Sequence, residues 1–247
     1  MAGNWQRGMM RLMRIANHEV EVVEVHDFTP WYRRITFRTP TLTDTLDVFP
    51  TLWLRLWVPH PAKGEGFVVQ RGYTFVRVDA AARTFSLDFV LHDVAGPAGD
   101  WAKRVVVGER IEAALTPARI DIPDGTTTLV LAGDATALPA INTWLESVPP
   151  EIETHVFLEE EHQDRAALPR IERERGTWEW VVREGDRGTA LARAIRASVA
   201  PAEGVYAWGA GEKTLIKNVR GALREHLGLD RGHHFTQLYW IEGKATG

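Results

Sequence analysis

The chain has no cysteine. That excludes a disulfide scaffold, a Cys-ligated zinc site, an iron–sulfur cluster and a thiol nucleophile. Any electron traffic must pass through a bound organic cofactor or a metal held by other ligands. The chain also lacks a basic excess: 29 Lys+Arg stand against 33 Asp+Glu, a formal net charge of −4. A nucleic-acid binder usually shows the opposite balance. No run approaches the ~18 apolar residues that span a bilayer. The N-terminus has no uninterrupted apolar core of the kind a secretory signal needs, because Arg7, Arg11 and Arg14 break up Met9, Met10, Leu12 and Met13. These absences point to a cytoplasmic protein with no membrane span and no nucleic-acid partner. The arginine-spaced start leaves open a weak amphipathic targeting segment as the alternative to a frayed terminus.

What is present is ordinary globular material, with 45% apolar and 25% charged residues over 247 positions. That length fits one large domain or two modest ones. Ten tryptophans can build a core or a flat ligand pocket, so the count alone decides nothing.

The hydrophobic period changes along the chain. Short alternating segments at Val20–Val25, Arg34–Arg38, Leu52–Val58, Gly72–Val78, Phe85–Leu91 and Arg110–Leu115 predict six strands of an antiparallel barrel. Gly96–Val106 breaks the pattern and predicts a short helix. From Thr127 on, strand and helix alternate. Strands are expected at Thr128–Ala132, Thr154–Leu158, Trp178–Val182, Val205–Trp208 and Phe235–Ile241, with helices at Leu138–Ser147, Leu191–Val199 and Glu212–Leu227. This predicts a five-stranded parallel sheet with right-handed crossovers. The seam is expected among Pro117–Gly125, giving domains 1–122 and 123–247. A small antiparallel barrel followed by a nucleotide-type α/β domain suggests a flavin reductase.

Four pieces carry candidate chemistry. Arg71-Gly72-Tyr73-Thr74 lies on a strand, so residues 71 and 73 face one way and 74 the other. Arginine offers a forked donor to a pyrophosphate, tyrosine packs on a ring, and threonine can bond a ring edge. The second piece is Phe89-Val90-Leu91-His92 with Gly96-Pro97-Ala98-Gly99 and Trp101, where small residues open a helix start to a phosphate. The third, Gly133-Asp134-Ala135-Thr136-Ala137-Leu138, sits at the carboxyl end of a strand, where α/β sheets bind ligands. The fourth, Trp208-Gly209-Ala210-Gly211-Glu212, is a second such strand end. Read alone, each is also a plain strand or a capped turn.

In this order and spacing, the four pieces resemble the siderophore-interacting protein family, FAD-dependent ferric-siderophore reductases of the ferredoxin-reductase-like superfamily. Tyr239-Trp240-x-x-Gly243 resembles that family's closing signature. The resemblance implies that Arg71, Gly72, Tyr73 and Thr74 hold FAD with Phe89, Val90, His92 and Trp101. It puts Gly96, Pro97, Ala98 and Gly99 at the flavin phosphates. Asp134, Thr136, Ala137 and Leu138, with Ala210, Gly211 and Glu212, would border a nicotinamide nucleotide, and Tyr239 and Trp240 would lie near the flavin. Three departures stand out: Val76 where the family has an arginine, Asp93 where glycine is common, and Arg55 in place of a lysine. Arg77, one step past Val76, is expected on the opposite strand face.

The resemblance implies release of iron from a ferric siderophore, with NADH, NADPH or reduced ferredoxin as electron source and no acid–base residue required. Arg55, Lys244 and Arg231 are expected to form a basic rim for an anionic ferric complex, with Trp53 or Trp57 as an aromatic wall. The alternatives are a general flavin or quinone reductase and a siderophore-binding protein without turnover. Glu159-Glu160-Glu161-His162 reads as a solvated loop whose first acid would repel a 2′-phosphate, offset by Arg165 and Arg183. His233-His234 reads as a polar turn.

Overall fold

The computed structural model describes residues 16–43, 46–60, 67–92, 96–115 and 118–244. The chain divides into two compact units, one running to Arg119 and the other from Ile120.

The first unit contains β1 (Asn17–Thr29), β2 (Tyr32–Arg38), β3 (Trp53–Pro59), β4 (Val68–Asp79), β5 (Thr84–Val90), α1 (Pro97–Arg104) and β6 (Arg110–Leu115). The strands close an antiparallel barrel in the order β1-β2-β5-β4-β3-β6. Alternation decides which side chains fill it. Leu54, Leu56 and Val58 point inward and are fully buried, together with Ile35, Phe37 and Leu87. Trp57 lies on the other face, yet it is buried against Ala114 and Val68. α1 starts with Pro97, whose fixed φ suits a first helical residue. Ala98, Trp101 and Ala102 recur at helical spacing and enter the barrel core.

The β4–β5 ladder is short. Its pairs run from Asp79↔Thr84 to Phe75↔Leu87, with a bulge between Phe75 and Arg77. Beyond Leu87, β5 stays with β2 as far as Tyr32↔Val90, while β4 from Val68 to Thr74 stays with β3. Among the described residues the two strand edges have no ladder partner there, so the barrel has a seam between β4 and β5.

The second unit contains β7 (Thr128–Asp134), α2 (Leu138–Ser147), β8 (Glu153–Glu159), β9 (Gly176–Val181), α3 (Thr189–Ser198), β10 (Val205–Glu212), α4 (Lys213–Glu225) and β11 (His234–Trp240). The sheet order is β11-β10-β7-β8-β9, and every pairing is parallel. α3 and α4 cover one face with Leu191, Ile195, Leu215, Val219 and Leu223. β7 and β10 run past the expected ends, to Asp134 and Glu212. Their glycines serve strand packing rather than an early turn: a Cβ on Gly133 would lie 2.3 Å from the Ala210 carbonyl oxygen, and one on Gly209 3.0 Å from that of Ala132. β8 and β9 are joined by a loop with one 3-10 turn, Arg165–Ala167.

Candidate functional site

In the barrel, candidate chemistry gathers at the seam. Tyr73 pairs with Leu54, and Arg71 with Leu56, on the interior face of β4. The Tyr73 ring meets Phe89 across the seam, with centroids 4.2 Å apart. Burial pushes its hydroxyl pKa up, and the Arg71 charge opposes that shift. Arg71 is half-buried and donates to the Gln70 carbonyl oxygen at 2.8 Å. It has no carboxylate partner among the described residues, and burial lowers its pKa. Thr74, on the other face, is buried opposite Trp53. The Trp53 ring lies against Gly72, where a Cβ would approach it to 3.2 Å. The Arg55 guanidinium stacks 4.5 Å from the Trp53 ring centroid.

α1 follows β5, the strand bordering the seam. A Cβ on Gly96 or Gly99 would meet no protein atom within 4 Å. Packing therefore does not require either glycine, and the helix start is left bare, as an anion beside its backbone N–H groups needs. An unpaired half-buried guanidinium, an uncrowded helix start and an aromatic at a seam fit a flavin dinucleotide.

Several expectations change here. Phe89 and Trp101 are buried core residues, and the Trp101 indole donates to Glu109 at 2.7 Å. Their side chains shape the barrel from within. Pro97 and Ala98 are buried as well. Val90 is half-buried and His92 exposed, its carbonyl accepting from Lys103 at 2.5 Å. The bulge shifts the register of β4, so Arg77 pairs with Ser86 on the outer face, the Thr74 side of the strand. Trp57 is too buried to offer an aromatic wall. Asp93 lies outside the described residues.

In the second unit, three strands end at the carboxyl edge of the sheet in a buried acid: Asp134 on β7, Glu159 on β8 and Glu212 on β10. Asp134 Oδ1 accepts from the Thr136 N–H (3.0 Å) and hydroxyl (2.5 Å). Its Oδ2 accepts from Glu212 N–H and the Trp240 indole, both at 2.9 Å. One carboxylate thus ties β7 to β10 and β11. Gly211 adopts φ +146°, and a Cβ there would sit 2.6 Å from Asp134 Oδ2. That glycine makes room for Asp134. Glu212 caps α4 through Thr214 N–H and Leu215 N–H and accepts from Glu242 N–H at 3.3 Å. Ala137, Leu138 and Ala210 are fully buried, so their side chains face the core. Thr136, Tyr239 and Trp240 keep partial exposure.

Glu159 and Glu160 are buried, which corrects the solvated-loop reading for those two, whereas Glu161 and His162 are exposed. Glu159 ends an interior strand and accepts from Gly188 N–H at 2.8 Å. Glu160 accepts from its neighbours' N–H groups and from the His162 ring. His233 bonds the Asp230 carboxylate and His234 the Asp230 carbonyl, both in the turn before β11. Arg231 lies in that turn, at the amino end of β11, whereas Lys244 follows its carboxyl end. Seven strand residues at ~3.3 Å each keep the two off a common rim.

Sequence reasoning missed Arg187, which pairs with Glu242 at 2.8 Å and lies 4.9 Å from the Trp240 ring centroid. The Gly188 beside it was the available signal. Its φ is +79°, and a Cβ would meet Leu215 Cα at 2.6 Å, so only glycine fits.

Burial raises the pKa of Asp134 and of Glu159, against the hydrogen bonds that lower them. Asp27 and Glu242 are lowered, chiefly by hydrogen bonds from Arg33 and Arg187. The signs are opposite. The raised pair contributes most below the ordinary carboxylate pKa and loses that contribution as pH rises through the raised values. The lowered pair contributes above the ordinary value and loses it in acid. Carbon-13 titration of the carboxyl groups should find Asp134 and Glu159 protonating before Asp27 and Glu242 as pH falls.

Residues 126–243 match the model of the siderophore-interacting protein family, and residues 62–118 match its siderophore-interacting FAD-binding domain. The chain belongs to the siderophore-interacting protein family. It is 36% identical over 249 residues to the mycobactin import ATP-binding/permease protein IrtA of Mycolicibacterium smegmatis, covering 100% of this chain but 28% of that relative. The chain thus spans about a quarter of the length of the first relatives it matches. It is 30% identical over 181 residues to the ferric vibriobactin reductase ViuB of Vibrio cholerae, 71% of this chain and 66% of that one. Among solved structures, a siderophore utilization protein from T. fusca superposes with TM-score 0.81 at 27% identity, covering 93% of this chain and 94% of the other. No helix among the described residues is long and apolar enough to cross a membrane.

Proposed function

We propose that this member of the family is an FAD-dependent reductase that releases iron from ferric siderophores, fed by NADH or NADPH. The barrel, within residues 1–122, is the FAD-binding domain, and the α/β unit, within 123–247, takes the nucleotide. The supporting observation is the seam between β4 and β5, bordered by an arginine without a carboxylate partner and an aromatic ring. Arg71 serves the pyrophosphate with the Gly96 helix start, Tyr73 packs against the ring system, and the Thr74 hydroxyl meets its polar edge. A bound flavin supplies the conversion of a two-electron donor into one-electron steps. Reduction loosens iron from hard oxygen chelators, which hold Fe(II) less well than Fe(III). The match to ferric vibriobactin reductase favours this reading over a general flavin or quinone reductase.

The purified protein should be yellow and should bleach anaerobically with NADH or NADPH. Added ferric siderophore should then yield Fe(II) trapped by a ferrous chelator. Bleaching without Fe(II) release would return the general reductase reading, and siderophore binding by a colourless protein the non-catalytic one. Bleaching by reduced ferredoxin alone would overturn the nucleotide donor. Arg55→Ala with Lys244→Ala should raise KM for an anionic ferric siderophore at low salt. That difference should fade toward 1 M salt, where the screening length falls from ~10 Å to ~3 Å. Flavin bleaching by the nucleotide should stay unchanged.

A further inference from the structure

The three buried acids that end β7, β8 and β10 differ in one respect. Both oxygens of Asp134 are taken, by Thr136 on one side and by Glu212 and Trp240 on the other. Both oxygens of Glu212 are taken, by the start of α4 and by Glu242. Glu159 uses Oε2 for Gly188 N–H, but its Oε1 is buried with no hydrogen-bond partner. Arg187, adjacent in sequence to that N–H donor, has a buried Nε in the same condition. An acceptor and a donor, both shielded and unsatisfied, together suit a hydroxyl group, which can donate to one and accept from the other.

The charges around Glu159 sharpen this. Those acting on it are Arg187, Arg183 and Asp134. Arg187 already has Glu242 at 2.8 Å and Arg183 has Glu161 at 3.5 Å. Each arginine also pairs with a glutamate of its own, so Glu159 shares their charge and has no ion-pair partner to itself among the described residues. Its position is the end of β8, the second strand of the β7–α2–β8 unit. In nucleotide-binding sheets of this kind, an acid at that strand end accepts from the ribose 2′-hydroxyl and excludes a 2′-phosphate.

We propose that Glu159 with Arg187 is a ribose-hydroxyl site that makes this chain select NADH over NADPH. This rests on the reading that a pyridine nucleotide is the electron donor. A 2′-phosphate would bring about two negative charges toward the Glu159 carboxylate in a poorly screened setting. Discrimination of at least about tenfold is expected.

The test is calorimetric titration of the FAD-loaded protein with ADP-ribose and with 2′-phospho-ADP-ribose. The native chain should bind ADP-ribose at least about tenfold more tightly. Glu159→Gln keeps the shape and an acceptor for Gly188 N–H while removing the charge, and it should bring the two affinities toward parity. Thermal melting would verify that this variant is folded, and Glu159→Asp, which retains the charge, should preserve the preference. Equal affinities in the native chain, a preference for the phosphorylated fragment, or an unchanged ratio in Glu159→Gln would overturn the proposal while leaving the donor reading intact. Failure of both fragments and both dinucleotides to bind a yellow protein would remove the donor reading, and this inference with it.

Discussion

Arg71→Ala is expected to bind FAD roughly 10- to 150-fold more weakly than the native chain. Losing one charge-assisted hydrogen bond costs about 1.5–3 kcal/mol, which converts to that range. The native guanidinium is half-buried, and its single hydrogen bond within the described residues runs to the Gln70 carbonyl. No carboxylate neutralises it there. Burial already lowers its pKa, so its surroundings disfavour the charge until an anion arrives. Removing it should therefore leave the fold of the apo protein intact, or slightly more stable, while weakening the cofactor. Quenching of flavin fluorescence on titration into apo protein measures the affinity, and melting of the apo form provides the control. Arg71→Lys should recover part of the loss, because it restores charge without the fork. Native-like affinity in a folded Arg71→Ala protein would sink the pyrophosphate role.

Asp88→Ala is expected to destabilise the barrel unit by about 3–5 kcal/mol, the usual result of stripping one partner from a buried ion pair. The Asp88 side chain is fully buried and that of Arg34 is 18% exposed. Arg34 grips it bidentately at 2.7 and 2.9 Å, and the buried Tyr32 hydroxyl adds a third donor at 3.1 Å. Alanine would leave a shielded guanidinium and a buried hydroxyl without their acceptor. For a unit of this size the melting midpoint should fall on the order of 10–20 °C. Asp27→Ala is the contrast. Its Arg33 pair is as short, 2.6 Å, but the Asp27 side chain is 48% exposed, so a loss nearer ~1 kcal/mol is expected. Equal losses in thermal melts of the two variants would show that burial does not set the difference.

Much of the architecture was legible because its period is local. Leu54, Leu56 and Val58 announce a strand with an interior face, and Leu215, Val219 and Leu223 a helix with one, whatever lies around them. The Arg34–Asp88 pair was not legible, because it needs β2 beside β5, a long-range fact that no window of sequence contains. The bulge at Val76 escaped for the same reason: an extra residue is defined only against a partner strand. Gly133 and Gly211 were read as turn residues although they continue strands, since a glycine that admits a neighbour and one that permits a bend look alike in a sequence. Glu159 was misjudged as solvated because three consecutive glutamates resemble a surface run, whereas the parallel strand carries the first of them inward to Gly188 N–H.

The seam between β4 and β5 has a consequence for the life of the protein before it acquires a cofactor. From Val68 to Thr74, one margin of β4 offers backbone donors and acceptors that no neighbouring strand among the described residues takes up. Such a margin is a template on which a foreign strand can crystallise. β4 is rich in valine and aromatic residues, the side chains that favour that outcome. If flavin covers this margin, as proposed, a freshly synthesised chain would be most open to self-association where flavin is scarce, and the supply of the vitamin-derived cofactor would help to set how much protein survives.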